Sequence, residues 1–106
     1  MLIAWTTVAS RDDAEKLAKS TIKAGLAVCV QIEGPITSVY RWEGRVEQST
    51  EFRLMFKLLP TQSVALESHV MAQHSYDVPE WIVVPASQIG EKYLSWAQAD
   101  STSSPL

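Results

Sequence analysis

The chain has 106 residues, of which 46% are hydrophobic and 20% charged, so it has the size of one domain and enough apolar side chains for a core. Its formal net charge is −3 and its basic residues are scattered, which argues against a nucleic-acid-binding protein. The single cysteine, Cys29, excludes an internal disulfide and a cysteine-rich zinc module.

The first quarter of the chain predicts a strand followed by a helix. Leu2 to Val8 is an apolar, β-branched run without a helical period, as in a buried strand. Ser10 is a suitable N-cap for the helix, and Gly25 provides the left-handed residue that ends it. The side chains at the spacing of one core-facing stripe are Ala14, Leu17, Ala18, Thr21 and Ile22.

The next segment predicts a long hairpin. From Leu26 the apolar period changes to two, which indicates a strand. Gly34-Pro35 interrupts this strand, and an extended run resumes from Ile36 to Trp42. Glu43-Gly44 is suited to a two-residue turn, which fixes the register of the strands and places Tyr40 opposite Glu47. The returning strand alternates as far as Leu58, with a bulge or bend expected near Gln48.

The second half predicts a helix, a strand and a final helix. The first helix begins at about Thr61, its N-cap, and runs to about Gln73, with core contacts from Val64, Leu66, Val70 and Met71. The strand, 78–85, carries a proline near each end, which fits a sheet edge. The final helix, from about Ile89, is expected to bury Tyr93, Trp96 and Ala97.

The order of elements predicts an α+β fold, a ferredoxin-like β-α-β-β-α-β sandwich with a long bent hairpin and an extra C-terminal helix. We expect one domain over residues 1–99 and a flexible tail over 100–106. Two helices cover only one face of such a sheet, so the other face meets water or another subunit. Tyr40 and Trp42 would share that face with Glu47, Glu51 and Lys57, which favours an oligomer over packing against loops of the same chain.

Motifs for catalysis or nucleotide binding are absent from the sequence, so we expect a protein that is not an enzyme. Cys29 is either a nucleophile or soft metal ligand, or a small buried side chain. His69 and His74 lie about 140° apart around a helix and cannot share a metal from one helical face. His74 with Glu80 could bind copper or zinc, or His74 could be a cation at the helix terminus.

Three spaced motifs, in order along the chain, resemble the CutA family of divalent-cation tolerance proteins. The first is Tyr40-Arg41-Trp42-Glu43-Gly44 with Glu47 and Glu51, the second is 74–80, HSYDVPE, and the third is Tyr93-Leu94-Ser95-Trp96. The opening Thr6-Thr7-Val8 and the segment 26–30 are similar too. The resemblance covers about residues 2–98.

This resemblance implies a compact homotrimer, similar in architecture to the PII signalling proteins, with the sheets toward the threefold axis. It implies a role in tolerance of divalent metal ions, with copper(II) foremost. The positions that match the family's expected metal ligands are Cys29, Glu51 and His74. The resemblance adds Tyr40, Trp42, Lys57 and Glu80 as residues that line a cleft between subunits.

The chain departs from the family pattern at three places. Ser75 stands where the family usually has proline, and Thr6 and Gln73 stand where some members have a cysteine and a second histidine. Strong metal binding usually needs three or more well-oriented ligands, so these changes bear on the metal site.

Two other functions stay open from the sequence. One is a PII-like signalling or binding trimer that recognises a small anionic ligand or a protein partner in the cleft between subunits. The other is an enzyme with Cys29 as nucleophile and His74 as base, which lacks a third group to orient the base. We expect no membrane or nucleic-acid partner, and a cytoplasmic location because no signal peptide or apolar run of 18 residues is visible.

Overall fold

The computed structural model describes residues 1–102. Its elements in chain order are β1 (Leu2–Val8), α1 (Arg11–Lys23), β2 (Cys29–Trp42), β3 (Arg45–Leu58), a 3-10 turn (Pro60–Gln62), α2 (Ser63–Gln73), β4 (Ile82–Pro85) and α3 (Glu91–Thr102). Part of the predicted tail, residues 100–102, belongs to α3. The rest of it, 103–106, lies outside the described residues.

The four strands form one antiparallel sheet in the order β2-β3-β1-β4. This order confirms the predicted α+β, ferredoxin-like topology, and β4 occupies a sheet edge as its prolines predicted. Across residues 1–102, no helix is both long and apolar enough to span a membrane.

The predicted hairpin register is confirmed. Trp42 pairs with Arg45 and Tyr40 with Glu47 around a two-residue turn, in which Glu43 and Gly44 have φ values of 50° and 78°. Positive φ at both positions is the property of the type I′ turn, whose twist matches that of the strands.

The expected bulge near Gln48 was wrong. Gln48 pairs with Val39 in an unbroken register, and the irregularity lies in the opposite strand, between Glu33 and Ile36. Gly34 lies within that irregularity, and a Cβ atom placed there would be 2.6 Å from the Phe52 ring. Glycine at position 34 therefore allows the Phe52 ring to lie close to the backbone of β2. The register of the two strands shifts at this position.

The core lies between the sheet and the helices α1 and α2. Leu54, Phe56 and Leu58 of β3 are fully buried, as are Leu66 and Val70 of α2. The Phe56 ring also meets the ring of Trp81 edge to face, with the centroids 5.6 Å apart. The base of the hairpin is therefore packed by this chain's own helices, whereas its tip extends beyond them in a molecule 46 Å long.

Several side chains predicted to be buried are exposed in the single chain. Only part of each predicted helical stripe reaches the sheet, because the residues at the margin of the stripe point past it. The exposed ones are Ile22, Val64, Met71, Tyr93 and Trp96. In α3 the rings of Tyr93 and Trp96 pack against each other, with centroids 5.5 Å apart, while Ala97 is buried.

The predicted start of the second helix was also wrong in its detail. Thr61 belongs to the 3-10 turn, and α2 begins at Ser63 without a side-chain cap. Gln62 holds this corner: its Oε1 accepts a hydrogen bond from the Leu59 N–H, and its Nε2 donates one to the Gly25 carbonyl. A buried amide side chain thus fixes this corner, and the expected hydroxyl cap is not formed. The strands β2 and β4 and helix α3 each begin two to four residues later than predicted.

Candidate functional site

An open cleft of about 690 Å³ lies on the side of the sheet that faces away from α1 and α2. We call this side the open face. The floor of the cleft is the open face of the β2–β3 hairpin, and one wall is the segment between α2 and β4. The cleft is lined by Thr7, Ser38, Val39, Tyr40, Trp42, Ser49, Glu51, Tyr76, Asp77, Val78 and Glu80. We call it the hairpin cleft.

Glu51 is the most buried carboxylate of the cleft. It is only 8% exposed, and its Oε2 accepts a hydrogen bond of 2.9 Å from the hydroxyl of Tyr76. Burial of the phenol, followed by this hydrogen bond to Glu51, raises the pKa of Tyr76. The phenol therefore keeps its proton and remains the donor, which fixes the Glu51 side chain in the cleft.

The imidazole ring of His74 fixes the wall of the cleft, because both of its nitrogens make hydrogen bonds. Nδ1 accepts a hydrogen bond from the Tyr76 N–H, and Nε2 lies 2.9 Å from the Thr7 carbonyl. Because Nδ1 accepts and a carbonyl can only accept, the proton must be on Nε2 and the imidazole is neutral. The alternative interpretation of His74 as a cation at the helix terminus does not fit this arrangement.

The far end of the same wall is attached to β1 by Thr6. Its hydroxyl donates a hydrogen bond of 2.7 Å to the Glu80 carbonyl and lies 3.1 Å from His74 Nε2. Thr6 is fully buried, so a hydroxyl at this place ties both ends of the segment 74–80 to the central strand. The sequence marked Thr6 as part of an opening similar to the family and as a position where some members have a cysteine, and the buried pairing of its hydroxyl carried no separate signal.

Cys29 lies at the other end of the open face. It pairs with Lys57 across the sheet, and the Lys57 ammonium lies 5.7 Å from the centre of the Tyr93 ring. Burial raises the pKa of the Tyr93 hydroxyl, and the nearby Cys29 adds to this shift. Cys29, Lys57 and Tyr93 thus form a second group beside α3, separate from the hairpin cleft.

The three predicted metal ligands do not come together in one chain. Glu51 and Lys57, the partner of Cys29, are six positions apart on β3, which corresponds to roughly 20 Å along the strand. His74 already uses both nitrogens. Among the described residues, no group of three His, Cys, Asp or Glu side chains could hold a metal ion. The described residues of a single chain therefore bring no such set of three ligands together.

The predicted cleft residues are only partly brought together. Tyr40, Trp42 and Glu80 line the hairpin cleft, as does Glu51, whereas Lys57 does not. The lining includes the carboxylates of Glu51, Asp77 and Glu80 and no lysine or arginine, a charge pattern that does not favour an anionic ligand there. Sequence reasoning gave no role to Tyr76, although its position in the motif 74–80 was a usable signal.

Together, topology and hairpin define a ferredoxin-like α+β protein whose extended hairpin forms an acidic, aromatic cleft. Residues 2–100 match the family model of the CutA1 divalent ion tolerance protein. The chain is 41% identical over 95 residues to the chloroplastic protein CutA of Arabidopsis thaliana, covering 90% of this chain and 52% of that one. It is 35% identical to the divalent-cation tolerance protein CutA of Thermus thermophilus, covering 90% of this chain and 92% of that one.

The similarity extends to solved structures. The crystal structure of CutA1 from Oryza sativa superimposes with a TM-score of 0.90 at 40% identity, covering 96% of this chain and 93% of that one. The chain spans about half the length of the plant sequences that it matches and most of the length of the bacterial one. This chain belongs to the CutA family.

Proposed function

We propose that this chain acts in divalent-cation tolerance as a homotrimer that binds a metal ion, copper(II) foremost, where two copies meet. The observation that carries the proposal is the separation of Cys29 and Glu51 along one open face. Soft and hard ligands that lie roughly 20 Å apart in one chain can share an ion only if different copies supply them. Family membership supports the role in divalent-cation tolerance.

Assembly is supported by the apolar side chains that the open face leaves uncovered. Trp42 is 48% exposed and Ile82 is 52% exposed, and Ile82 pairs with Trp5 on the open face. Large apolar side chains left exposed along one face of a sheet are typical of contact surfaces between proteins. We therefore assign the open face as the surface that copies share.

Solution mass by light scattering, with EDTA and with copper(II), tests the assembly. We expect a trimer that is indifferent to EDTA. Replacing both Trp42 and Ile82 with serine should lower the measured mass below that of a trimer. Val64→Ser is the matched control, because Val64 is 82% exposed on α2, on the opposite side of the sheet. A monomeric wild type, or equal loss in the control, would overturn the proposed assembly.

A complementation experiment tests the metal site. Calorimetric titration of copper(II), zinc and nickel should show that Cys29→Ser and Glu51→Gln each weaken binding. Mixed oligomers refolded from the two single variants should recover part of the binding, because an intact cysteine and an intact glutamate then meet across some junctions. The double variant should recover none. His69→Ala controls for copper that binds adventitiously to a surface histidine.

In this proposal His74 positions the wall of the cleft and does not hold the metal. His74→Ala would then reduce stability and leave the stoichiometry of metal binding unchanged. If that variant lost one bound metal ion for each contact between two copies, His74 would be one of the metal ligands.

The remaining predictions complete the proposal. The chain is proposed to act without catalysis, and slow, ordinary alkylation of Cys29 by iodoacetamide would agree with that.

The PII-like alternative, with an anionic ligand or a protein partner, stays a prediction that a thermal-shift panel of metabolites would test. The name of the Arabidopsis relative places that protein in the chloroplast, so the cytoplasmic location of this chain also stays a prediction.

A further inference from the structure

The support of the β2–β3 hairpin changes at one residue, Phe52. Val8 is the last residue of β1 that pairs with β3, and its partner is Phe52. Before Phe52, over residues 45–51, β3 pairs only with β2. We call this two-stranded part, residues 36–42 and 45–51, the outer hairpin. Two strands alone are only marginally stable in water, so within one chain the direction of the outer hairpin depends on the contacts at its base.

The opposite strand bends at the same level. The register of β2 against β3 shifts between Glu33 and Ile36, so that two residues of β2 stand opposite the single residue Phe52. An extra residue of this kind bends the strand that carries it and increases its twist. Gly34, one of the two, leaves room for the Phe52 ring, which a Cβ atom would approach to 2.6 Å. The outer hairpin therefore leaves the covered part of the sheet at a bend.

Arg11, the first residue of α1, lies over this bend on the helix side of the sheet. Its guanidinium carbon is 5.1 Å from the centre of the Phe52 ring, within the range of a cation–π contact. Its Nη2 donates a hydrogen bond of 3.4 Å to the Gly34 carbonyl. Because α1 is anchored in the core by its buried side chains, one side chain connects both strands at the base of the outer hairpin to the core.

The charge of Arg11 is unfavourable for the helix that carries it. A cation in the first turn meets the positive end of the helix dipole, whereas the other charged residues of that turn, Asp12 and Asp13, have the favoured sign. Among the described residues, Arg11 forms no ion pair that would offset this. The favourable contacts of this cation are those with the hairpin. Removal of its charge should therefore affect α1 and the outer hairpin in opposite directions.

We propose that Arg11 is a positioning residue that holds the outer hairpin at the angle at which copies of the chain meet. The tip of this hairpin carries Trp42, which belongs to the surface that copies share. Arg45, the partner of Trp42, is seven positions from Phe52, roughly 23 Å along the strand, so a rotation of about 10° at the bend would move the tip by about 4 Å. The step from angle to assembly rests on the function proposed above, whereas the contact of Arg11 with the hairpin lies within one chain.

Hydrogen exchange of the full chain, followed by mass spectrometry, tests the contact. In Arg11→Gln we expect the amides of 36–42 and 45–51 to exchange roughly two- to fivefold faster, as the loss of an exposed cation–π contact predicts. The amides of α1 should exchange no faster. Arg11→Lys should behave as wild type, because lysine also brings a cation to the ring. Faster exchange throughout α1 and the core would mean that Arg11 supports the fold in general and would overturn the positioning role.

Two further variants separate this contact from surface charge. Lys16→Gln is the matched control, because it removes one positive charge from an exposed position of the same helix, and it should leave the exchange of the hairpin as in wild type. Phe52→Leu removes the ring and keeps an apolar side chain, so Arg11→Gln should have a smaller effect in that background. An equal effect of Lys16→Gln, or an undiminished effect without the ring, would overturn the inference.

Light scattering over a dilution series tests the step to assembly. Arg11→Gln should dissociate at a severalfold higher protein concentration than wild type, whereas Arg11→Lys and Lys16→Gln should not. An unchanged trimer in a variant whose hairpin exchanges faster would overturn the role of Arg11 in assembly. A monomeric wild type would overturn the function proposed above; whether Arg11 holds the hairpin would then be decided by the exchange experiment alone.

Discussion

The two ends of strand β3 occupy opposite environments although they belong to one continuous strand. Near its end, Leu54, Phe56 and Leu58 are completely buried beneath the helices, whereas Val46 near its start is 72% exposed. Side chains alternate between the two faces in the same way at both ends of the strand, so the sequence pattern alone does not distinguish the two ends. The difference shows that burial is decided by which other element reaches the strand, and that the tip of the hairpin lacks such an element in its own chain.

The largest expected effect contrasts these two ends directly. Leu54→Ala should lower the free energy of unfolding by about 2 to 5 kcal/mol, because it leaves a cavity in a core that cannot close completely. Val46→Ala, on the same strand, should change it by less than about 0.5 kcal/mol. Urea denaturation of both variants measures this. A large loss in Val46→Ala would mean that another copy covers that side of the hairpin in solution.

A second contrast concerns the two histidines. His74→Ala should cost about 2 to 3 kcal/mol, since it leaves the Tyr76 N–H and the Thr7 carbonyl without their partner in a partly buried place. His69→Ala, which loses the hydrogen bond between its Nε2 and the Ser20 hydroxyl, should cost about 1 kcal/mol or less. Thermal unfolding of both variants gives the comparison. Equal costs would show that His74 does not hold the wall of the cleft.

Much of the fold was predictable from local patterns. The helix α1 with its Ser10 cap, the two-residue hairpin turn and the edge position of β4 all follow from residue types whose preferences are local. The boundaries of α2 were less predictable, because Gln62 anchors that corner to Gly25, 37 residues away in the chain. Sequence periodicity carries no information about such a contact.

The candidate site was less predictable than the fold, and the reason is geometric. Tyr40, Trp42 and Glu51 were placed together by the register of the hairpin, which the turn determines. The position of Cys29 relative to Glu51 depends instead on the length of β2, and the engagement of His74 depends on its contact with β1. The resemblance to the family supplied these residues but not the distances between them.

Alkaline pH provides a third test, at the boundary between core and cleft. Burial and Glu51 raise the pKa of Tyr76 in the folded chain, so the unfolded chain, with a tyrosine pKa of about 10, loses its proton first. Stability from this group is complete below about pH 10 and falls as the pH rises further. Tyr76→Phe should flatten that decline in urea denaturation between pH 8 and 11, and parallel curves would contradict the coupling. Tyr93, whose pKa is also raised, should preserve part of the slope.

The smallest expected effect lies at the hairpin tip itself. Glu43 adopts a φ of 50° in the turn, a left-handed conformation that costs a residue with a Cβ about 1 to 2 kcal/mol. Asparagine tolerates this conformation better and precedes glycine in the preferred type I′ turn. Glu43→Asn should therefore raise the free energy of unfolding by about 0.5 to 1 kcal/mol, measured by urea denaturation. Glu47→Asn, in the strand beyond the turn, is the control and should bring no gain, since asparagine is disfavoured in strands. An equal gain in both would mean that removal of negative charge, and not turn geometry, stabilises the tip.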